Sequence, residues 1–216
     1  MSNVAWESVP IRESNDSLVN LGGYDFILQP SYFDQGFSAD KRIFLRKTVA
    51  DKLLKIQKLV KVYKFKVWDG FRSREVQNNI YKNFWEELKS KNPEWDEERL
   101  KTETGIFVTE AVNPSRVPSH ATGGAVDLTL VDVAGTELEM GTPFDHFGPE
   151  SNPHYFDDPS RSRIVSRNRK ILRDLMVAED FCVDTDEWWH FDYGNQKWAV
   201  QLNRPLAIFG EAKTPS

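Results

Sequence analysis

The chain has 216 residues, a net charge of −5, 39% hydrophobic and 28% charged residues, the proportions of an ordinary globular protein. A chain of this length is expected to fold as one domain, residues 1–216, and to bury roughly 70% of its unfolded surface. The acidic balance argues against a nucleic-acid partner, and no stretch approaches the ~18 consecutive apolar residues of a membrane-spanning helix.

Residues 1–46 read as an irregular N-terminal segment packed on the domain, punctuated by Gly22, Gly23, Pro30 and Gly36. Its first residues lack a basic stretch followed by an apolar one, so a cytoplasmic location is expected. Val49, Leu53, Ile56 and Val60 share one helical face, with Thr48 as the expected cap and Asp51 three residues on. "YKFKVWD", residues 63–69, alternates as a strand and stops at Gly70. Ser73 then caps a second helix whose stripe of Val76, Ile80, Phe84 and Leu88, widened by Tyr81 and Trp85, is expected in the core. Asn92-Pro93 ends that helix. Residues 93–118 suggest one short helix and a loop. Residues 125–131 form a strand, 132–135 a turn with a short strand after it, and 141–162 a long loop rich in Gly and Pro. A third helix is expected over 166–178, then two short strands in "FCV" and "EWWHFDYG". This order fits an α+β fold, a small, mostly antiparallel sheet flanked by helices. The basic run from Arg161 to Arg173 reads as a solvated helical face. Cys182, the single cysteine, excludes an internal disulfide and reads as a small buried hydrophobe.

One carboxylate is out of place. Asp127 lies among Ala125, Val126, Leu128 and Leu130, where burial is costly without a partner. Of the four histidines, His120 and His190 stand beside unusual neighbours, whereas His146 and His154 sit in the long loop and read as solvated or locally bonded. His120, Asp127 and His190 together make a three-ligand set with room for a fourth, the arrangement of a catalytic zinc, and a dication would neutralise Asp127. Glu187 is three residues from His190, so in a straight strand the two face opposite ways; they share a site only if the chain bends or Glu187 precedes the strand. Alone, that segment reads equally well as core tryptophans beside a surface acid. With the ligand set, Glu187 becomes the candidate base for water. Arg72, just after a strand end, is either an oxyanion-stabilising cation or an ion pair of Asp69. The H-E-x-x-H and G-x-S-x-G patterns are absent, which argues against a zincin and a serine hydrolase.

Four blocks in order, "WDGFRSREVQ", "PSHATGGAVDLTL", "MGTPFD" and "EWWHFDYGNQKWA", span residues 68–199. The set resembles the zinc D-alanyl-D-alanine dipeptidases, the family that includes the vancomycin-resistance dipeptidases. The resemblance implies an α+β fold shared with D,D-carboxypeptidases and the hedgehog signalling domain. It implies one zinc ion on His120, Asp127 and His190, with Glu187 as base and later acid and Arg72 at the developing oxyanion. Asp145 of "MGTPFD" would hold the substrate's amino group, and Ser119 would help orient the substrate. "LVNLGGYDFILQPSYFDQGFS" matches the family's opening only loosely, and Pro118 stands where some members carry a serine. The expected activity is hydrolysis of D-Ala-D-Ala, or a close dipeptide, to free amino acids, with a small dipeptide as substrate and neither nucleic acid nor membrane as partner. The alternatives are a D,D-carboxypeptidase or peptidoglycan endopeptidase acting on longer stem peptides, and a metal-containing binding module without catalysis.

Overall fold

The computed structural model describes residues 5–107 and 116–215. The N-terminal segment is more ordered than expected: it holds β1 (Leu18–Asn20), β2 (Ile27–Leu28), the one-turn helix α1 (Ser31–Asp34) and β3 (Phe44–Arg46). Strands of two or three residues are too short to show an alternation in sequence. Helix α2 (Lys47–Leu59) buries Val49, Ala50, Leu53 and Ile56. Thr48 does not cap it. The Thr48 N–H donates instead to Asp16 Oδ2 at 2.8 Å, so a carboxylate from a distant segment serves the first turn, while Asp51 pairs with Lys47.

Strand β4 (Tyr63–Asp69) and helix α3 (Arg74–Lys91) follow as the sequence predicts, and Ser73 Oγ accepts the Val76 N–H at 3.3 Å. The α3 stripe is only partly core. Phe84 is buried, but Tyr81 and Trp85 stay half-exposed, because α3 packs on α4 (Glu97–Phe107) at the side of the molecule, away from the main core. Part of the expected loop before residue 118 lies outside the described residues. Strand β5 (Ala125–Asp132) runs into a turn, and the short strand predicted after it is a single bridge between Val131 and Glu137. Helix α5 (Arg163–Val177) starts three residues earlier than predicted, where Ser162 Oγ accepts the Val165 N–H. Then come β6 (Cys182–Val183), β7 (His190–Asp192) and a helix the pattern did not reveal, α6 (Gln196–Gln201).

The main described sheet has the order β2-β4-β5-β7-β6, with β2 parallel to β4 and the other neighbours antiparallel; β1 and β3 form a separate pair. The architecture is α+β. Val126, Leu128 and Leu130 of β5 join Phe65 and Val67 of β4 in one core with Leu53 and Ile56 of α2 and Leu172 and Met176 of α5. Strand alternation then turns Asp127 to the opposite face of the sheet.

Two buried arginines tie loops and turns to this framework. Arg169, predicted solvated, is 1% exposed. Its Nε donates to the Met140 carbonyl at 2.7 Å and Nη1 to the Asn152 carbonyl at 2.8 Å, fixing the loop 141–162 on α5. Arg46 is also buried; it donates to the Thr122 carbonyl at 2.7 Å, the Gly210 carbonyl at 3.1 Å and the Asp16 carbonyl at 2.5 Å. It thereby ties both ends of the chain to the turn before β5. Cys182 is buried as expected, and burial pushes its thiol up to about 12. No helix among the described residues is long and apolar enough to cross a membrane.

Candidate active site

Three strands deliver acidic or imidazole groups to one level of the sheet. Asp127 of β5 pairs in register with His190 of β7 on one side and with Asp69 of β4 on the other. The second pairing exists because of a β-bulge between Val67 and Asp69; an unbroken register would place Trp68, not Asp69, opposite Asp127. His120 arrives from a short 3-10 turn, Ser119–Thr122, that ends at Gly123 with φ of 69°. Gly124 follows where a side chain would run into the Tyr193 carbonyl and the Phe209 ring, so the tight path from His120 to Asp127 requires glycine.

The three predicted ligands converge. His120 Nε2 lies 3.1 Å from His190 Nδ1 and 3.4 Å from Asp127 Oδ2, and His190 Nδ1 lies 3.0 Å from Asp127 Oδ1. Ligand atoms bound tetrahedrally to one zinc at about 2.0–2.2 Å are about 3.3–3.6 Å apart, so this triangle fits one ion with little adjustment. The tautomers fit as well. His120 Nδ1 meets the Gly70 carbonyl at 2.7 Å; a carbonyl only accepts, so Nδ1 carries the proton and Nε2 is bare. His190 Nε2 faces Asp192 Oδ1 at 3.3 Å, which leaves Nδ1 as the nitrogen turned to the cluster. Two imidazole lone pairs and a carboxylate aimed at one point call for a cation. Burial disfavours the His190 cation, but Asp192 and Asp127 outweigh it and hold its pKa well above the usual histidine range. Burial likewise works against the Asp127 carboxylate, and His120 and His190 outweigh it, holding its pKa well below normal.

Glu187 sits just before β7, in the bend that brings it to the same side as His190. Its Oε2 is 4.0 Å from His190 Nδ1, outside the ligand triangle, and its side chain is 32% exposed to the cavity. Burial pushes its carboxyl up to about 8, with His190 opposing and Asp184, Asp127 and Asp145 adding to the rise. Arg72 makes the expected ion pair with Asp69. Its Nε donates to Asp69 Oδ2 at 2.8 Å, and its Nη2 reaches within 3.5 Å of Asp127 Oδ2, so the ion pair aims the cation at the cluster. Gln77 accepts from Nη1 at 2.9 Å, and the Tyr32 ring lies 4.3 Å from the guanidinium carbon.

Asp145 lines the same cavity as the ligands at a φ of 59°, a left-handed conformation that Asp tolerates better than most residues. Its Oδ1 accepts the Tyr32 O–H at 3.1 Å. Burial pushes its carboxyl up to about 7, Arg72 opposing and Asp127 adding. Ser119 also lines this cavity of about 670 Å³, as do His146 and His154 near its mouth. Both loop histidines are paired locally as expected, His154 with Asp157 at 2.7 Å and His146 with Glu150 at 3.7 Å.

The site also contains residues the sequence reading missed. Tyr32 comes from the segment taken as irregular, and no local pattern marks it. Asp192 had a signal: it is two residues after His190 on one strand and therefore on the same face. Lys197 lies in the first turn of the unforeseen α6 and lines the cavity.

Comparison with known proteins now decides the class. The family model described as D-ala-D-ala dipeptidase matches residues 33–209. The chain belongs to the D-Ala-D-Ala dipeptidase family. It is 27% identical to the D-alanyl-D-alanine dipeptidase of Synechocystis sp., over 91% of this chain and 90% of that one. It is 31% identical to that of Enterococcus faecium, over 66% of this chain and 69% of that one. Among solved structures, a mutant of the vancomycin-resistance D,D-pentapeptidase VanY in complex with Zn(II) aligns with a TM-score of 0.49 at 14% identity, covering 94% of this chain and 97% of that chain. Family members are metallopeptidases, and the chain's convergent His/Asp/His set is consistent with that class.

Proposed function

We propose that the protein is a zinc-dependent dipeptidase that hydrolyses D-Ala-D-Ala to free alanine. The observation that carries this reading is the ligand triangle of His120, Asp127 and His190, with Glu187 beside it and outside it. Zinc held by these three residues would polarise the scissile carbonyl and acidify water. Glu187 takes the proton from the attacking water and passes it to the leaving amine. A carboxyl buried enough to sit near neutrality suits both halves of that transfer. Arg72, locked by Asp69 and Gln77, holds its charge toward the developing oxyanion without having to reorganise. Asp145 binds the substrate's ammonium, and Ser119 helps orient the peptide. Asp192 keeps the His190 ring in the tautomer that presents Nδ1.

A substrate panel tests the activity. With zinc supplied, the protein is expected to cleave D-Ala-D-Ala, and neither L-Ala-L-Ala nor a stem pentapeptide. Preferential cleavage of the pentapeptide would assign it to the D,D-carboxypeptidases, and no cleavage of any would leave the binding-module reading.

The ammonium site gives a second expectation. Only the ionised form of Asp145 attracts the substrate's ammonium, and burial raises its carboxyl to about 7. Protonation therefore removes the attraction as pH falls through 7, so KM for D-Ala-D-Ala rises toward pH 6 and levels above pH 8. Asp145→Asn abolishes this dependence and raises KM at every pH, which steady-state kinetics from pH 6 to 9 will measure; an unchanged profile in the variant removes Asp145 from this role.

A further inference from the structure

The proposed dipeptidase reading accounts for the substrate's ammonium, scissile carbonyl and leaving amine, but leaves its terminal carboxylate without a partner. Glu187 must reach the leaving nitrogen, so the leaving residue lies on the Glu187 side of the ligand triangle, away from Asp145. Its carboxylate carbon is only two bonds beyond that nitrogen, within about 4 Å of the scissile carbon. Among the described residues lining the cavity, Arg72 and Lys197 are the lysine and arginine side chains. Arg72 is committed to Asp69, Gln77 and the carbonyl end. Lys197 stands on the Glu187 side, beside Asp184, whose carboxylate lies within 4.8 Å of a His190 ring nitrogen.

Lys197 is placed for a ligand as well as for structure. Its Nζ donates to Asp184 Oδ2 at 3.1 Å, and its side chain remains 33% exposed. An ammonium has three N–H donors, and Asp184 takes one. Asp184 is itself held by the Asp186 backbone N–H at 2.9 Å, so the lysine is aimed by a fixed anchor. Burial works against the Lys197 cation, but Asp184, Asp192 and Glu187 outweigh it, and the side chain stays charged.

We propose that Lys197 binds the C-terminal carboxylate of the substrate, making it a specificity-determining residue for peptides that end at the leaving amino acid. The inference rests on the dipeptidase reading. Together with Asp145 it sets a measure of substrate length, an anion for the free amino end and a cation for the free carboxyl end. A peptide extended or blocked at its C-terminus loses the second contact.

The test compares D-Ala-D-Ala with D-alanyl-D-alaninamide, using the zinc-loaded wild type and the Lys197→Met and Lys197→Arg variants. The wild type is expected to show a KM about tenfold or more higher for the amide. Lys197→Met raises KM for the free acid to near the amide value, with kcat changed little and KM for the amide unchanged. Lys197→Arg retains most of the discrimination. Equal KM values for acid and amide in the wild type overturn the proposal, even if every variant fails to fold. So does a Lys197→Met effect of equal size on both substrates, which marks a structural lysine. Absence of wild-type turnover on both sinks the dipeptidase reading itself, and the proposal with it.

Discussion

Replacing Glu187 by glutamine is expected to lower kcat for D-Ala-D-Ala by about 10²–10⁴-fold while leaving bound zinc and KM almost unchanged. The expectation follows from position. Glu187 approaches His190 at 4.0 Å but takes no corner of the ligand triangle, so removing its charge leaves the three ligands intact. Glutamine keeps the shape of the side chain and loses only the ability to accept and return a proton. Initial rates measured beside metal content by elemental analysis distinguish the outcomes. Loss of zinc together with activity would make Glu187 a ligand, and retained turnover would hand the proton to another group.

Removing the metal is expected to abolish turnover and to destabilise the fold. Asp127, His120 and His190 are 2%, 7% and 4% exposed, and the sheet and the turn before β5 hold them close to one another. An ion that binds only the folded chain stabilises it by about 4.1 kcal/mol at 1,000 times its Kd. For a domain of this size that corresponds to a Tm shift of roughly 8–16 °C. Thermal unfolding with chelator, and again after zinc is restored, measures both losses and their recovery. An unchanged Tm with full activity in chelator would mean that no exchangeable ion serves the site.

Much of the site was legible in the sequence because its chemistry contradicts its surroundings. A carboxylate inside the apolar run of β5 demanded a partner, and His120 and His190 supply it with Asp127 in one cluster. Glu187 can join His190 because it precedes the strand, which starts only at His190. The long helices and central strands were readable from periodicity. The rest was not, for identifiable reasons. Strands β1, β2 and β3 are set by pairing with distant segments, not by local pattern. Tyr32 acquires its place only when β2 docks parallel to β4. Arg169 lies in a basic helical run yet is enclosed, because the carbonyls of Met140 and Asn152 accept from its Nε and Nη1. The aromatic stripe of α3 has the spacing of a core face, but only the tertiary arrangement reveals that it packs on α4 and leaves Tyr81 and Trp85 half-exposed.

The staple made by Arg46 bears on how the centre comes into being. Its guanidinium joins a segment near residue 16, the carbonyl of Thr122 and the carbonyl of Gly210, and the Ala212 N–H donates to the Ala121 carbonyl beside His120. The turn that carries the first imidazole is therefore seated by two segments far apart in the sequence. Helices and strands can form from local contacts, but this turn is seated only when both segments have docked on Arg46, so assembly of the centre depends on contacts of long sequence separation, the kind that form slowly.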